Sequence, residues 1–223
     1  MRTSAAITLP KTLKWVAMKI EKPFLIRPRS IVPLLVLFSG FSGNPNLSAQ
    51  FTDVSEPWGF SGGGKAAFAD YDGDGWMDLY AGKLFHNEQG KAMSPVESSG
   101  LPGGEAIWGD YDNDQRPDLF FFTGAGGLYR NMGEGKFEQV DFPELPTVNS
   151  RGAVWGDFNQ DGRLDLFVGG YEVWEQRVHP DVIFLNQPDG SFKEVWRSPE
   201  GACYSARGVA AADLNEDGKI DVY

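Results

Sequence analysis

A chain of 223 residues with 41% hydrophobic content is long and apolar enough for one good core or two small ones, and too apolar for a disordered segment. Its formal charge of -11 argues against nucleic acid as a partner, because phosphate contacts need Lys and Arg. The single cysteine, Cys203, excludes an intrachain disulfide and reads as a small buried apolar side chain; His86 and His179 stand alone, and two scattered His assemble no Ser/His/Asp arrangement.

Residues 1–49 hold seven Lys/Arg against Glu21 alone, so the acid excess lies wholly in the remainder. This stretch reads as a signal or targeting segment. Ile31–Phe38 is an apolar run preceded by Arg27 and Arg29, shorter than the ~20 residues a membrane-spanning helix takes. Leu47-Ser48-Ala49 fits a cleavage site after Ala49, and Met18 is an alternative start that gives a leader of more ordinary length. No Cys near the site supports lipid attachment. The expectation is a secreted chain, extracellular or periplasmic, with no stable membrane span once the leader is removed; the alternative is an uncleaved anchor.

Residues 50–223 repeat. Asp70, Asp72, Asp74 and Asp78 place carboxylates at positions 1, 3, 5 and 9 of a nonamer with Gly75 at position 6. Ca²⁺ takes ~6–8 oxygens at ~2.3–2.6 Å from carboxylates, carbonyls and water. A tight turn points positions 1, 3 and 5 inward together, and Gly75 frees the bend. The carbonyl of Trp76 at position 7 is then expected to face the ion, with Asp78 closing the far side. Without a cation such a cluster would repel itself and raise its own pKa values.

Asp110, Asp112, Asp114 and Asp118 form a second copy, with Arg116 at position 7; Gln115 replaces the glycine and Pro117 sits at position 8. Asp157, Asn159, Asp161 and Asp165 form the third, with Arg163 at position 7. Asp213, Asn215, Asp217 and Asp221 form the fourth, with Lys219 at position 7. One acidic turn would be a weak signal, since turns are rich in Asp, Asn and Gly anyway; four in register point to Ca²⁺. The loops supply fourteen Asp, so the acidity is ligand chemistry more than a general surface field.

Each nonamer lies between short apolar runs, Ala66–Ala69 and Leu79–Ala81, Ala106–Gly109 and Leu119–Phe122, Ala153–Gly156 and Leu166–Val168, Val209–Ala212 and Val222-Tyr223. Such runs, bounded by Gly and Asp, are strands, so the loop joins strand to strand and is not the helix-flanked loop of an EF-hand. A second landmark follows: a strand ending in Asn (Asn87, Asn131, Asn186), a Gly-bearing turn, and a further strand at Lys91–Val96, Lys136–Val140 and Ser191–Val195. Phe51–Val54 looks like an earlier example of that last strand.

First ligands recur at 70, 110, 157 and 213, giving periods of 40, 47 and 56 residues. Four strands per ~40–50 residues is the signature of a β-propeller blade. The expected fold is therefore all-β: a partial β-propeller of four-stranded blades, each with a nine-residue Asp-rich calcium loop, about three full blades and a truncated fourth. The longest period absorbs an insertion at Tyr171–Asp181, read as a lengthened inter-strand loop or as a binding loop.

At these residues the sequence resembles the FG-GAP/VCBS repeat family, the blades of integrin-α-type β-propellers, and is similar to secreted propellers with an ASPIC/UnbV region such as the cartilage acidic protein group. The matching text is Phe51–Val54, Ala106–Asp114, Ala153–Gly162 and the Asn…Gly…Phe turns. The resemblance implies a Ca²⁺-binding propeller of about seven blades, used for extracellular adhesion or for carbohydrate and protein recognition. This chain is shorter than a closed propeller of ~4–8 blades needs, so it is expected to be a fragment of a longer protein or to assemble with other copies.

The expected function is a secreted, Ca²⁺-stabilised adhesion or interaction module with no catalysis of its own, its partner an extracellular protein or glycan. Two alternatives stay open. A lectin-like propeller would stack sugars on Trp58, Trp174 or Trp196. A carbohydrate-active enzyme would need a carboxylate pair from Glu105, Glu172, Glu175 and Asp181, which show no defensible pairing.

Overall fold

The computed structural model describes Trp58 and residues 65–145, 150–173, 177–199, 206 and 208–223. The leader at 1–49, Phe51–Val54, Trp174, Glu175 and Cys203 lie outside the described residues.

Each acidic nonamer is the connection of a β-hairpin. β1 (Ala67–Ala69), β2 (Asp78–Tyr80), β3 (Leu84–Asn87) and β4 (Met93–Pro95) form one antiparallel sheet in that order. β5 (Ala106–Gly109), β6 (Asp118–Phe121), β7 (Gly127–Gly133) and β8 (Lys136–Gln139) form the second. β9 (Ala153–Gly156) and β10 (Asp165–Val168) begin the third sheet. After a small hairpin, β11 (Glu172–Val173) and β12 (Arg177–Val178), β13 (Val182–Asn186) and β14 (Phe192–Arg197) complete it. β15 (Ala211–Ala212) and β16 (Asp221–Val222) form the fourth hairpin, continued by mutual backbone bonds between Ala210 and Tyr223. The register is the same throughout: the residue before loop position 1 faces position 9, as Ala69 faces Asp78, Gly109 faces Asp118, Gly156 faces Asp165 and Ala212 faces Asp221.

The first strands of successive sheets lie side by side, β1 by β5, β5 by β9 and β9 by β15. Four-stranded sheets stacked face to face around their first strands make this a partial β-propeller. The described residues contain no helix, and so none long and apolar enough to cross a membrane.

The run Leu119-Phe120-Phe121-Phe122 shows why the blades need each other. Leu119 and Phe121 pack into the core shared with the first blade, beside Tyr71, Tyr80, Leu84, Tyr129 and Phe137. Phe120 and Phe122 point the other way, into the core shared with the third blade, beside Leu166, Val168, Val182, Phe184 and Phe192. All four are at most 2% exposed. A strand covered on both faces has no place for the polar alternation of a one-sided sheet, so its sequence is continuously apolar. Aromatic edges close both seams, Tyr80 on Phe121 at 5.2 Å between centroids and Phe142 on Phe184 at 5.1 Å. A third fit is steric: a Cβ at Gly109 would stand 2.5 Å from Nε1 of Trp155, so the indole of blade three is seated on bare backbone of blade two.

Two expectations change. The insertion at Tyr171–Asp181 is not a plain loop: its middle pairs as β11 with β12, and its base is tied where Asp181 Oδ1 accepts the Gly170 amide at 2.6 Å. In blade two the third strand does not end at Asn131 but runs to Gly133, with a bulge between Asn131 and Gly133. A bulge carries the extra residue, Met132, without losing the pairing on either side.

Candidate metal centre

The four nonamers share one hydrogen-bond pattern. The position-1 carboxylate accepts the amides of positions 5 and 6: Asp70 from Asp74 and Gly75, Asp110 from Asp114 and Gln115, Asp157 from Asp161 and Gly162, Asp213 from Asp217 and Gly218, all at 2.8–3.1 Å. Position 3 accepts the amide of position 5, through Asp72, Asp112, Asn159 and Asn215. Position 5 accepts the amide of position 7, which belongs to Trp76, Arg116, Arg163 or Lys219. Short polar side chains that bond backbone two to five residues on are what fold these turns. Position 4 takes positive φ as well as position 6, at Gly73, Asn113, Gln160 and Glu216.

Position 9 closes the loop and ties it to the sheet. Asp78 Oδ2 accepts the Tyr71 amide at 3.1 Å, and its Oδ1 accepts the Asn87 amide at 2.7 Å. Asp118 does the same for Tyr111 and Asn131, and Asp165 for Phe158 and Asn186. Asp221 accepts the Leu214 amide at 3.0 Å. Asp78, Asp118 and Asp165 are wholly buried. Burial pushes Asp78 up to about 6, against the pull of the Asn87 and Tyr71 amides. Burial likewise pushes Asp118 up to about 7, with the Asn131 amide pulling back and the charge of Asp112 adding to the rise. Asp165 is raised in the same direction and for the same leading cause.

These clusters fit a hard divalent cation. Two oxygens on one ion at ~2.4 Å stand at most ~4.8 Å apart. One carboxylate oxygen each from Asp70, Asp72 and Asp78 falls within 4.8 Å of the others, and so do those of Asp110, Asp112 and Asp118. Asp72, Asp74 and His86 form a further such group. Desolvated carboxylates pushed toward neutrality are the groups a neighbouring cation would return to the charged form. In the third and fourth loops the position-3 amide nitrogens donate to position 5, Asn159 to Asp161 at 2.8 Å and Asn215 to Asp217 at 3.2 Å.

The side chains at position 7 have a second task. Arg116 donates from Nε to the Asn131 carbonyl at 3.2 Å and pairs with Asp114 at 2.5 Å. Arg163 repeats this on the Asn186 carbonyl at 3.0 Å and on Asp161. Trp76 instead lies against Gly90, whose added Cβ would stand 3.0 Å from the ring.

The residue just before the third-strand Asn differs in each blade. His86 brings Nδ1 to 3.1 Å from Asp72 and 3.4 Å from Asp78. Arg130 brings Nε to 2.7 Å from Asp112 and a terminal nitrogen to 3.3 Å from Asp114. The Nε contact is an ion pair and not an aligned hydrogen bond. At Asp114 partial burial works upward, but the Arg116 amide and the two guanidinium groups hold the carboxyl below its ordinary value. The charge of Asp112 in turn raises Arg130. Blade three has Leu185 at this place.

In the sequence the recurring Asn is a landmark only. Its side chain is a buried clamp: Asn87 donates to the Met77 carbonyl, Asn131 to Pro117 and Asn186 to Leu164, each at position 8 of its own loop. Asn131 also reaches the Tyr71 carbonyl at 2.8 Å, and Asn186 the Tyr111 carbonyl at 2.7 Å, both in the preceding blade's loop. Their regular recurrence before each Gly turn was the available signal. Position 4 makes a second link between loops, Asn113 to the Gly162 carbonyl and Gln160 to the Gly218 carbonyl.

Hairpin-joined blades with one acidic nonamer apiece, clamped loop to loop, define a repeat-built β-propeller. Residues 110–168 and 173–223 match the FG-GAP-like repeat, so the chain carries FG-GAP-like repeats. Among solved structures, an Agrocybe aegerita lectin described for specific recognition of non-reducing terminal N-acetylglucosamine is similar at 18% identity and a TM-score of 0.48, over 71% of this chain and 46% of that one. The chain thus spans less than half the length of that structure. Comparison with curated proteins gives no match.

Proposed function

We propose that the chain is a secreted, Ca²⁺-stabilised β-propeller module that binds an extracellular protein or glycan and has no catalysis of its own. The observation that carries this is the convergence of Asp70, Asp72 and Asp78 oxygens within 4.8 Å in a hairpin whose closing carboxylate is wholly buried. Asp70, Asp72, Asp74 and Asp78 would hold the first ion with the Trp76 carbonyl. Asp157, Asn159, Asp161 and Asp165 would hold another with the Arg163 carbonyl, and Asp213, Asn215, Asp217 and Asp221 another with that of Lys219. In blade two Asp110, Asp112, Asp114 and Asp118 form the corresponding set with the Arg116 carbonyl. The ion supplies positive charge to a crowded carboxylate cluster. Position 9 passes that constraint to the third strand through the Asn87 and Asn186 amides.

A ligand that binds only the folded chain adds ~2.7 kcal/mol at a hundredfold excess over its dissociation constant. Extracellular modules bind Ca²⁺ at ~10⁻⁴–10⁻³ M, which suits a secreted staple. Two carboxylates outside the loops are already engaged, which supports a non-catalytic reading: Glu105 pairs with Lys65 at 3.1 Å, and Asp181 caps the Gly170 amide. The exposed pair Val195 and Trp196 on β14, at 48% and 44%, favours a glycan as the second reading of the partner. The test is the thermal midpoint of the full chain in Ca²⁺ and in chelator, with Asp74→Ala expected to remove one site's share. An unchanged midpoint in chelator overturns the staple, and a glycan array probed with the Ca²⁺-loaded chain separates the two partner classes.

A further inference from the structure

We propose that in the second blade the guanidinium of Arg130 takes the place a divalent ion holds in the other loops, so that this hairpin is closed by a side chain of the chain itself. The comparison with the other loops rests on the Ca²⁺ reading above. Asp112 Oδ1 accepts the Asp114 amide, and Asp114 Oδ1 accepts the Arg116 amide. At positions 3 and 5 the oxygens that accept no backbone amide are Oδ2 of Asp112 and Oδ2 of Asp114. Both face guanidinium nitrogens: Asp112 Oδ2 has Arg130 Nε at 2.7 Å, and Asp114 Oδ2 has Arg130 at 3.3 Å and Arg116 at 2.5 Å. A planar guanidinium spans two carboxylates where a point cation would sit between them.

The position is structurally equivalent in every full blade, because it precedes the Asn whose amide bonds position 9. Blade three has Leu185 there, which carries no charge, and blade one has His86. Among the three full blades, the second loop alone therefore combines four Asp with two arginines, one local and one from the third strand. An ion entering it would have to displace the Arg130 guanidinium from Asp112 and hold a +2 charge beside it. The second loop accordingly keeps its shape without metal and takes Ca²⁺ poorly.

The experiment uses the full chain and Ca²⁺ itself. Equilibrium dialysis is expected to give about one more bound ion per chain for Arg130→Leu than for the parent. Leu185→Arg, which transplants the guanidinium to blade three, is expected to give about one fewer. In chelator, Arg130→Leu is expected to melt below the parent, Arg130→Lys between them, and added Ca²⁺ to restore Arg130→Leu. Unchanged stoichiometry in both substitutions, with a parent that already fills four loops, overturns the proposal. So does an Arg130→Leu chain that melts like the parent in chelator. A chain that binds no Ca²⁺ in any form overturns the staple reading, and the clamp is then decided by the chelator melts alone.

Discussion

The side-chain amide of Asn131 donates to the backbone carbonyl of Tyr71 at 2.8 Å, across the seam between two blades and 60 residues apart in sequence. The same amide donates to the Pro117 carbonyl of its own loop, and its oxygen accepts the Gly133 amide at 2.9 Å. One wholly buried side chain thus satisfies three backbone groups in two blades. Asn131→Ala removes a partner from all three, of which the Tyr71 carbonyl is buried and the Pro117 carbonyl and Gly133 amide are partly buried, and an unsatisfied buried group costs about 1–3 kcal/mol. The expected loss is about 3 kcal/mol or more in denaturant unfolding. Asn131→Asp keeps the shape and loses the donor, and is expected to lose nearly as much. A midpoint within error of the parent for both would show that the seam is held by apolar packing alone.

Asp72 and Asp78 belong to one loop and separate the metal from the fold. Asp72 spends one oxygen on a 3.2 Å bond to the Asp74 amide and holds the other near His86. Asp78 is buried and holds the Tyr71 and Asn87 amides. Asp72→Ala is therefore expected to cost little in chelator and to reduce the gain on adding Ca²⁺. Asp78→Ala strands two amides and is expected to cost about 2–4 kcal/mol in chelator as well. Melting both variants with and without Ca²⁺ checks the difference, and equal losses in chelator would remove the distinction.

The loops and hairpins were legible because their logic is local. Asp at fixed spacing and Gly75, Gly162 and Gly218 at position 6 specify a turn that folds on its own amides. The apolar runs specify strands for a similar reason. What the sequence hid is what crosses elements. Asn131 to Tyr71 and Gln160 to Gly218 depend on blade stacking, which no spacing within one repeat encodes. Arg130 reaches Asp114 only through the β6–β7 register. The hairpin β11–β12 was hidden by its size: two residues per strand give no periodicity to read.

Phe120 and Phe121 are consecutive, wholly buried and on opposite faces of β6. In a sheet with one wet face, truncating one of two neighbours would be nearly free. In a stacked blade each Phe→Ala substitution is expected to cost about 3–5 kcal/mol, from lost transfer energy plus the cavity. Near-equal losses for Phe120→Ala and Phe121→Ala in urea unfolding are the expected result. A loss confined to one of them would place β6 at the margin of the stack and not inside it.

Gly109 and Gly162 are both glycines for different reasons, and alanine tells them apart. At Gly162 φ is +84° and nothing lies within 4 Å of an added Cβ, so Gly162→Ala meets only the left-handed backbone penalty of about 1 kcal/mol. At Gly109 the added Cβ would stand 2.5 Å from Trp155 Nε1, 2.6 Å from Cδ1 and 2.8 Å from Cε2, against a rigid ring that is packed on Phe120 and Phe192. Gly109→Ala must push the indole away and is expected to cost about 1–3 kcal/mol, the range for overpacking. Trimming the ring in the double variant Gly109→Ala, Trp155→Leu is expected to cost less than the sum of the two single losses, because the clash disappears. Strict additivity in a double-mutant cycle would mean that the two blades do not meet at this contact.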